Sequence, residues 1–298
     1  MLWRVLLCIL INGVCVPKVL ALSPYVHGEK VECVEITACV NRVEQKLKGA
    51  GFELLGIHYP RGLEQFAVVV VTDKAWLGTI RALGGSAIIG AGIRVGVKAD
   101  GRVSYINPEY WFRAYFQKNY ERQRAAVDRL EKRLAHALGN QSYFGGQVPA
   151  VDLAKYRYMI GMERFDSDKS MLYSHPSFDV ALKTVRQNLA KGMNHTSQVY
   201  EVVMPEQKIA VFGVAMNGPT SGEQHWVKRN GVENIAALPW EIFIVNGRVY
   251  ALYGRYRTAL AWPTLGLGDF MRISDHPDTV QAMLTAIAGG REERFNAF

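Results

Sequence analysis

The sequence predicts an α+β fold of two tandem similar domains, each a mainly antiparallel sheet with flanking helices. Two hairpin signals carry this prediction, because residues 92–107 and residues 238–254 each contain two apolar runs separated by Asp-Gly or Asn-Gly. These pairs favour a type I′ turn, which needs positive φ at both central residues. In both copies Arg-Val follows the glycine, so the hairpins also resemble each other.

The order of landmarks repeats once along the chain. The apolar run at residues 66–68 recurs at residues 209–211, and Gly-Arg-Val at residues 101–103 recurs at residues 247–249. The apolar face and closing glycine of the first predicted helix recur at nearly the same offset. A period as long as a domain predicts a duplication and not a short solenoid repeat.

The apolar periodicity of the first half predicts alternating helices and strands. Thr37 is a plausible N-cap for its first helix, and glycine follows the helix. We predict an irregular lead-in at 22–35, a helix at 38–48, strands at 52–57 and 65–72, a helix at 75–83 and the first hairpin.

A long charged helix is predicted over residues 109–138 as the element that joins the two domains. Val127, Leu130 and Leu134 follow helical spacing, and mixed charges occupy the opposite face. Residues 155–165 are predicted to form a short strand beyond it.

The second half begins with a helix capped by Ser177 and ended by Gly192. The second hairpin and a final helix at residues 277–288 follow. The predicted boundaries are a signal peptide at 1–21, a first domain at 22–118, a connecting segment at 119–175 and a second domain at 176–298.

The N-terminus has the layout of a secretory signal peptide: one arginine, apolar residues 5–16 and small residues up to Ala21. The apolar part is shorter than the roughly 20 residues that a membrane-spanning helix needs. We expect a secreted or periplasmic protein without a transmembrane segment after cleavage; an uncleaved anchor is the alternative. Cys33 and Cys39 would remain, and export favours a disulfide between them over two buried thiols.

Composition indicates a globular chain, since 49% of its 298 residues are hydrophobic and 21% are charged. The net charge of +8 permits an anionic partner. The basic residues are neither gathered in a tail nor interleaved with aromatic residues, so nucleic-acid binding is not expected.

The best candidate site is the predicted return strand of the second hairpin, where Tyr253, Arg255 and Arg257 alternate and would share one face. Two guanidinium groups suit a carboxylate or phosphate. The alternative is an exposed sheet face on which the arginines pair with acids. Side chains that could complete the site are Glu241, His225 and Asp269.

A weaker possibility is a copper site, because thioether sulfur is a soft ligand. Its candidate ligands are Met159, Met162, Met171 and His175. Methionine is also a routine filler of irregular cores. No cofactor is predicted, and the chain has no recognisable catalytic motif.

With these hairpins the chain resembles the domain-of-unknown-function 302 family. The resemblance covers residues 38–115 and 178–262, and its most specific stretch is Leu-Pro-Trp-Glu-Ile at residues 238–242. The first copy departs from that stretch, with Gly-Ile-Arg at residues 92–94. The resemblance implies a compact α+β domain that also occurs in tandem copies, and it implies no activity.

These observations predict an exported, non-enzymatic binding or accessory protein. It would bind a small anionic ligand or a partner protein through the second domain. The alternatives are an enzyme with a site assembled between the domains and a structural subunit of an envelope complex.

Overall fold

The computed structural model describes residues 20–159, 161–266, 268–269 and 275–290. Two antiparallel sheets with covering helices confirm the predicted α+β class. The predicted signal peptide lies almost wholly outside these ranges. Within them, no helix has the length and apolar character needed to cross a membrane.

The first half runs to the end of α5 and contains a six-stranded sheet. Its elements are β1 (Ala21–Leu22), β2 (Tyr25–His27), α1 (Ile36–Gly49), β3 (Glu53–His58), β4 (Phe66–Thr72), α2 (Lys74–Leu83), β5 (Ile93–Lys98), β6 (Val103–Ile106), α3 (Pro108–Phe116), α4 (Tyr120–Leu138), β7 (Ser142–Phe144), β8 (Val148–Pro149) and α5 (Ala150–Leu153). The strand order in this sheet is β3-β4-β5-β6-β2-β7, while β1 pairs with β8.

The second half contains a five-stranded sheet. Its elements are β9 (Met171–Ser174), α6 (Phe178–Ala190), β10 (Thr196–Met204), β11 (Ile209–Met216), α7 (Glu223–Asn230), β12 (Trp240–Val245), β13 (Arg248–Tyr250), α8 (Gly254–Ala261) and α9 (Asp275–Ile287). The strand order is β10-β11-β12-β13-β9.

The two halves have the same topology. The series β2-α1-β3-β4-α2-β5-β6-α3 recurs as β9-α6-β10-β11-α7-β12-β13-α8. A 3-10 segment precedes the hairpin in each half, at Gly85–Gly90 and at Val232–Ala237. The duplication predicted from the sequence therefore extends to the strand order, and it includes a first strand that the sequence analysis missed.

The halves share one buried core, because their apolar side chains form a single continuous cluster. The edge strands β3 and β10 contact each other where each carries a bulge. A Cβ atom on Gly56 would lie 2.2 Å from the carbonyl oxygen of Val199, so this approach requires glycine. The division into two separate domains therefore remains a prediction.

The long charged helix differs from its predicted role. A 3-10 turn at Gln117–Asn119 divides it into α3 and α4, and α4 packs on α1, α2 and α3. Its apolar face is buried against the first half, as the helical spacing requires. It therefore belongs to the first half and is not a free connector.

Two other segments are corrected by the structure. The lead-in at residues 22–35 contains β2, which lies between β6 and β7 and buries Tyr25 completely. Residues 155–159 and 161–165 contain turns and irregular backbone, not the predicted strand. β2 is too short for alternation to reveal it, since it has three residues.

The two hairpins turn differently, and the predicted type I′ turn is wrong for both. Lys98 and Arg102 close a three-residue loop, in which Gly101 takes φ 85° and Asp100 does not have positive φ. This pattern is typical of a type I turn followed by a bulge. The second loop has only two residues, between Val245 and Arg248. Asn246 takes φ 57°, but Gly247 does not have positive φ, and a type I′ turn needs positive φ at both.

Cys33 and Cys39 form a disulfide that joins the segment before α1 to the helix itself. Cys39 is completely buried against the sheet. The bridge therefore closes a short loop between the segment before α1 and the first turn of that helix.

His276 on α9 gives the fold a predictable response to acid. Its ring lies 4.4 Å from that of Trp226, and burial, followed by the charge of Arg229, lowers its pKa from 6.5 to about 3. The unfolded chain therefore binds a proton between these pH values that the folded chain does not. We expect the free energy of unfolding to fall by about 2 kcal/mol between pH 6.5 and about pH 5 through this group.

Denaturant unfolding at several pH values checks this expectation, with His276→Gln as the comparison. The variant should show a shallower loss of stability below pH 6.5. Parallel pH profiles for the two proteins would show that His276 does not cause the loss.

Candidate functional site

The structure does not bring Tyr253, Arg255 and Arg257 onto one face. β13 ends at Tyr250, and Gly254 begins α8, so these residues are not on a strand. Two residues of a helix separated by one position point about 200° apart around its axis. Arg255 is accordingly half-exposed, while Arg257 is 1% exposed.

The exposed part of the predicted site is a small polar group beside α9. The hydroxyl of Tyr253 donates to Asp278, and the Nη2 atom of Arg255 lies 3.8 Å from the same carboxylate. Burial and the charge of Asp278 raise the pKa of Tyr253 to about 12. His225 is exposed on α7, with Nε2 2.6 Å from the carbonyl oxygen of Pro219. These side chains pair locally and do not converge.

Asp269 lies elsewhere, next to Tyr158. Burial and the charge of Asp269 raise the pKa of that tyrosine. The predicted group of six residues therefore divides into separate places: Tyr253 and Arg255 share Asp278, while Glu241 and Arg257 meet in the core.

Glu241 and Arg257 belong to a buried group that we call the junction cluster: Arg94, Trp111, Tyr115, Tyr200, Trp240, Glu241 and Arg257. Glu241 on β12 accepts hydrogen bonds from Arg94 on β5 and from Nε of Arg257, the latter at 3.2 Å. Arg257 also donates from Nη2 to the carbonyl oxygen of Ala237 at 2.6 Å. Side chains from both halves thus form one ion-paired group in the core.

Indole rings cover the two arginines. The guanidinium carbon of Arg94 lies 4.5 Å from the ring centroid of Trp111, and that of Arg257 lies 4.8 Å from it. Trp240 contacts Arg257 at 5.4 Å. The Trp111 indole N–H donates to the carbonyl oxygen of Pro24, which fixes the ring between the arginines. Buried cation–π contacts of this kind are stabilising.

The cluster lies where equivalent positions of the two halves meet. Val70 pairs with Arg94 in the first sheet, and Gly213 pairs with Glu241 in the second. Trp111 is the fourth residue of α3, as Arg257 is the fourth residue of α8. Contact between equivalent positions is the signature of a two-fold relation. The duplicated halves therefore pack like the subunits of a two-fold dimer, with different residues at the axis.

The electrostatics of the cluster reflect its burial. Burial lowers the pKa of Arg94, and it raises the pKa of Tyr200 well above the usual range. Arginine nevertheless stays protonated in proteins, and a neutral tyrosine hydroxyl is a hydrogen-bond donor. The cluster consequently presents cations and neutral donors.

A surface cavity that we call the junction pocket lies next to the cluster. It has a volume of about 230 Å³ and is lined by Gln117, Lys118, Ala154, Lys155, Tyr156, Arg164, Phe165, Asp166 and Tyr256. Tyr156, Phe165 and Tyr256 form an aromatic floor, with the ring of Tyr256 6.0 Å from Tyr156 and 6.3 Å from Phe165. Tyr115 of the cluster packs under Phe165 at 6.1 Å, so one aromatic layer separates pocket and cluster.

A second buried contact joins the halves at the end of β3. The Nε2 atom of His58 lies 2.5 Å from Oε2 of Glu223, the first residue of α7. Both side chains are almost completely buried. This pair therefore reinforces the junction at a position remote in sequence from the cluster.

Two of the four candidate copper ligands, Met162 and His175, make other contacts. Met159 and Met171 are exposed, and Met162 packs against the core. The Nε2 atom of His175 lies 2.8 Å from the carbonyl oxygen of Ala288 and therefore carries its proton there. Among the described residues, no three His, Cys, Asp or Glu side chains are grouped to hold a metal ion. Copper binding remains a prediction.

Sequence reasoning found Glu241 and Arg257 but missed Arg94, Trp111 and Tyr200. The available signal was a charged residue inside an apolar strand, as in Ile93-Arg94-Val95. Aligning the halves on the hairpin glycines hides the equivalence of Arg94 and Glu241, because the second hairpin loop is one residue shorter.

Comparison with known proteins gives no match among family models, curated proteins or solved structures. The resemblance to the domain-of-unknown-function 302 family therefore stays a prediction.

Proposed function

We propose that the chain is an exported, non-catalytic protein that binds a small organic anion in the junction pocket. The observation that carries the proposal is the pocket itself, where an aromatic floor lies below a cationic rim. Export is supported by the character of the N-terminal segment and by the disulfide, since disulfides persist in oxidising compartments.

The rim of the pocket favours an anion. Lys118, Lys155 and Arg164 are exposed around it, and Asp166 is the one carboxylate in the lining. Three positive charges less one negative charge leave a net charge of +2. Guanidinium and ammonium groups bind carboxylates and phosphates through charge-assisted hydrogen bonds.

The floor favours an apolar body on that anion. The side chains of Tyr156, Phe165 and Tyr256 present rings and not further charges. Ligand pockets typically combine such an apolar surface with a few polar groups that set orientation. A compact aromatic carboxylate or phosphate ester has both parts and suits a cavity of about 230 Å³.

The lining supports binding more than catalysis. Its nine residues include no histidine, cysteine or serine. Burial raises the pKa of the pocket tyrosines Tyr156 and Tyr256 far above the usual range, so both hydroxyls stay neutral. A general acid or base instead needs a pKa near the operating pH.

Isothermal titration with benzoate, phenyl phosphate and neutral benzyl alcohol tests the proposal. We expect saturable binding of the two anions and much weaker binding of the alcohol. The double variant Lys155→Gln, Arg164→Gln should bind the anions at least about tenfold more weakly, because each lost charged hydrogen bond costs about 1.5 kcal/mol or more.

The matched control is the double variant Arg122→Gln, Arg129→Gln, which removes two exposed charges from α4. It should bind like the unmodified protein. If both double variants weakened anion binding equally, the net charge of the protein and not the pocket would explain the effect. If benzyl alcohol bound as tightly as the anions, anion recognition would be contradicted.

A further inference from the structure

We propose that the junction cluster is a second, internal site that holds a small inorganic monoanion of the halide class between the two halves. This site is independent of the junction pocket. It would act as a fixed structural ion and not as an exchanging ligand of the surface.

The first support is the charge count. Arg94 and Arg257 are each 1% exposed, and Glu241 is 3% exposed. Two cations less one carboxylate leave a net buried charge of +1. Among the described residues, no other carboxylate forms a hydrogen bond with either arginine. An uncompensated charge in a protein interior is strongly unfavourable.

The second support is a set of buried donors without acceptors. Nε and Nη2 of Arg94, Nη1 of Arg257 and the hydroxyls of Tyr115 and Tyr200 find no partner in the described part of the chain. The side chains of Tyr115 and Tyr200 are at most 3% exposed. Buried polar groups almost always have a partner, so a group of five such atoms calls for an acceptor.

These donors lie close together. Trp111 and Tyr115 are one turn apart on α3, and Trp111 contacts both arginines. Gly92 lies one residue before β5, and its Cβ position faces Val70, the residue that pairs with Arg94. A Cβ atom there would be 2.9 Å from the hydroxyl of Tyr200, so glycine leaves room for that hydroxyl beside the arginine.

The chemistry of the group selects the ligand class. Guanidinium N–H and phenol O–H groups both donate, and their common partner is an anion. One negative charge neutralises the cluster, whereas a dianion would leave it net negative. Water could accept these hydrogen bonds but would leave the charge in place. The surrounding side chains are buried, which favours a compact ion such as chloride.

The test compares the full chain refolded from urea in sodium chloride, sodium bromide or sodium gluconate at equal ionic strength. We expect the midpoint of thermal unfolding to rise saturably with chloride and bromide and not with gluconate, which is too large for the site. In crystals grown with bromide, an anomalous peak should lie within hydrogen-bond reach of Nε or Nη2 of Arg94.

Tyr115→Phe and Tyr200→Phe remove donors while keeping the rings. Each should weaken the halide response about tenfold, as expected for the loss of one hydrogen bond to a charge. Tyr250→Phe, outside the cluster, and the pocket variant Lys155→Gln, Arg164→Gln should keep the response. An equal response to gluconate, or no bromide at Arg94, would overturn the proposal and leave the pocket proposal unaffected.

Discussion

Replacing Glu241 with glutamine is expected to lower the free energy of unfolding by about 3–5 kcal/mol, the range found when one partner of a buried ion pair is removed. Glu241 is the carboxylate that both Arg94 and Arg257 contact. Its neutralisation would leave two buried guanidinium groups facing an amide. The measurement is equilibrium unfolding in denaturant.

The matched control is Glu201→Gln, which removes the carboxylate from an exposed pair. Arg186 donates to Glu201 at 2.8 Å, and its side chain is 46% exposed. Exposed ion pairs contribute about 0–1 kcal/mol. Similar losses for the two variants would contradict a special role for the junction cluster.

Replacing Trp111 with alanine is expected to cost about 3–5 kcal/mol, as is typical of a large aromatic side chain removed from a core. The ring is completely buried and contacts both arginines. Its loss would leave a cavity and would also remove the aromatic surface that covers two cations.

Trp111→Phe separates these effects because it keeps an aromatic ring while removing the N–H that donates to Pro24. We expect a smaller loss of stability for this variant. Tyr143→Ala serves as the surface control, since Tyr143 is 50% exposed. A Trp111→Ala variant no less stable than Tyr143→Ala would contradict the packing described for the junction.

Much of the fold could be predicted because the apolar pattern of a long segment indicates whether it forms a helix or a strand. The Val-rich run that forms β4 is buried along its whole length, as expected for a strand covered on both faces. The Ser177 cap predicted for α6 is present, with its hydroxyl accepting from the N–H of Val180.

The errors arose where tertiary contacts decide the local structure. β2 is a strand because β6 and β7 pair with it on both sides. The residues after β13 form α8, which is the counterpart of α3 in the second half. The sequence at the start of α8 lacks the Asn-Pro pair that begins α3, so the helix could not be predicted from it. Reading Arg255 and Arg257 as strand residues placed them on one face, whereas the helix separates them.

The candidate site was only partly predictable for the same reason. The arginine pair in the core consists of Arg94 and Arg257, which are 163 positions apart and meet through the packing of the halves. The pocket is lined by four separate segments, and two of them lie in the predicted connecting segment at 119–175. The spacing of residues in the sequence does not predict contacts between residues that are so far apart.

The most direct test of the proposed function is a crystal structure of the full chain with para-bromobenzoate, using the anomalous signal of bromine. We predict a bromine peak over the rings of Tyr156, Phe165 and Tyr256, with the carboxylate within hydrogen-bond distance of Lys155 or Arg164. A peak only elsewhere on the surface, or no peak at concentrations that saturate binding in solution, would contradict the junction pocket as the binding site.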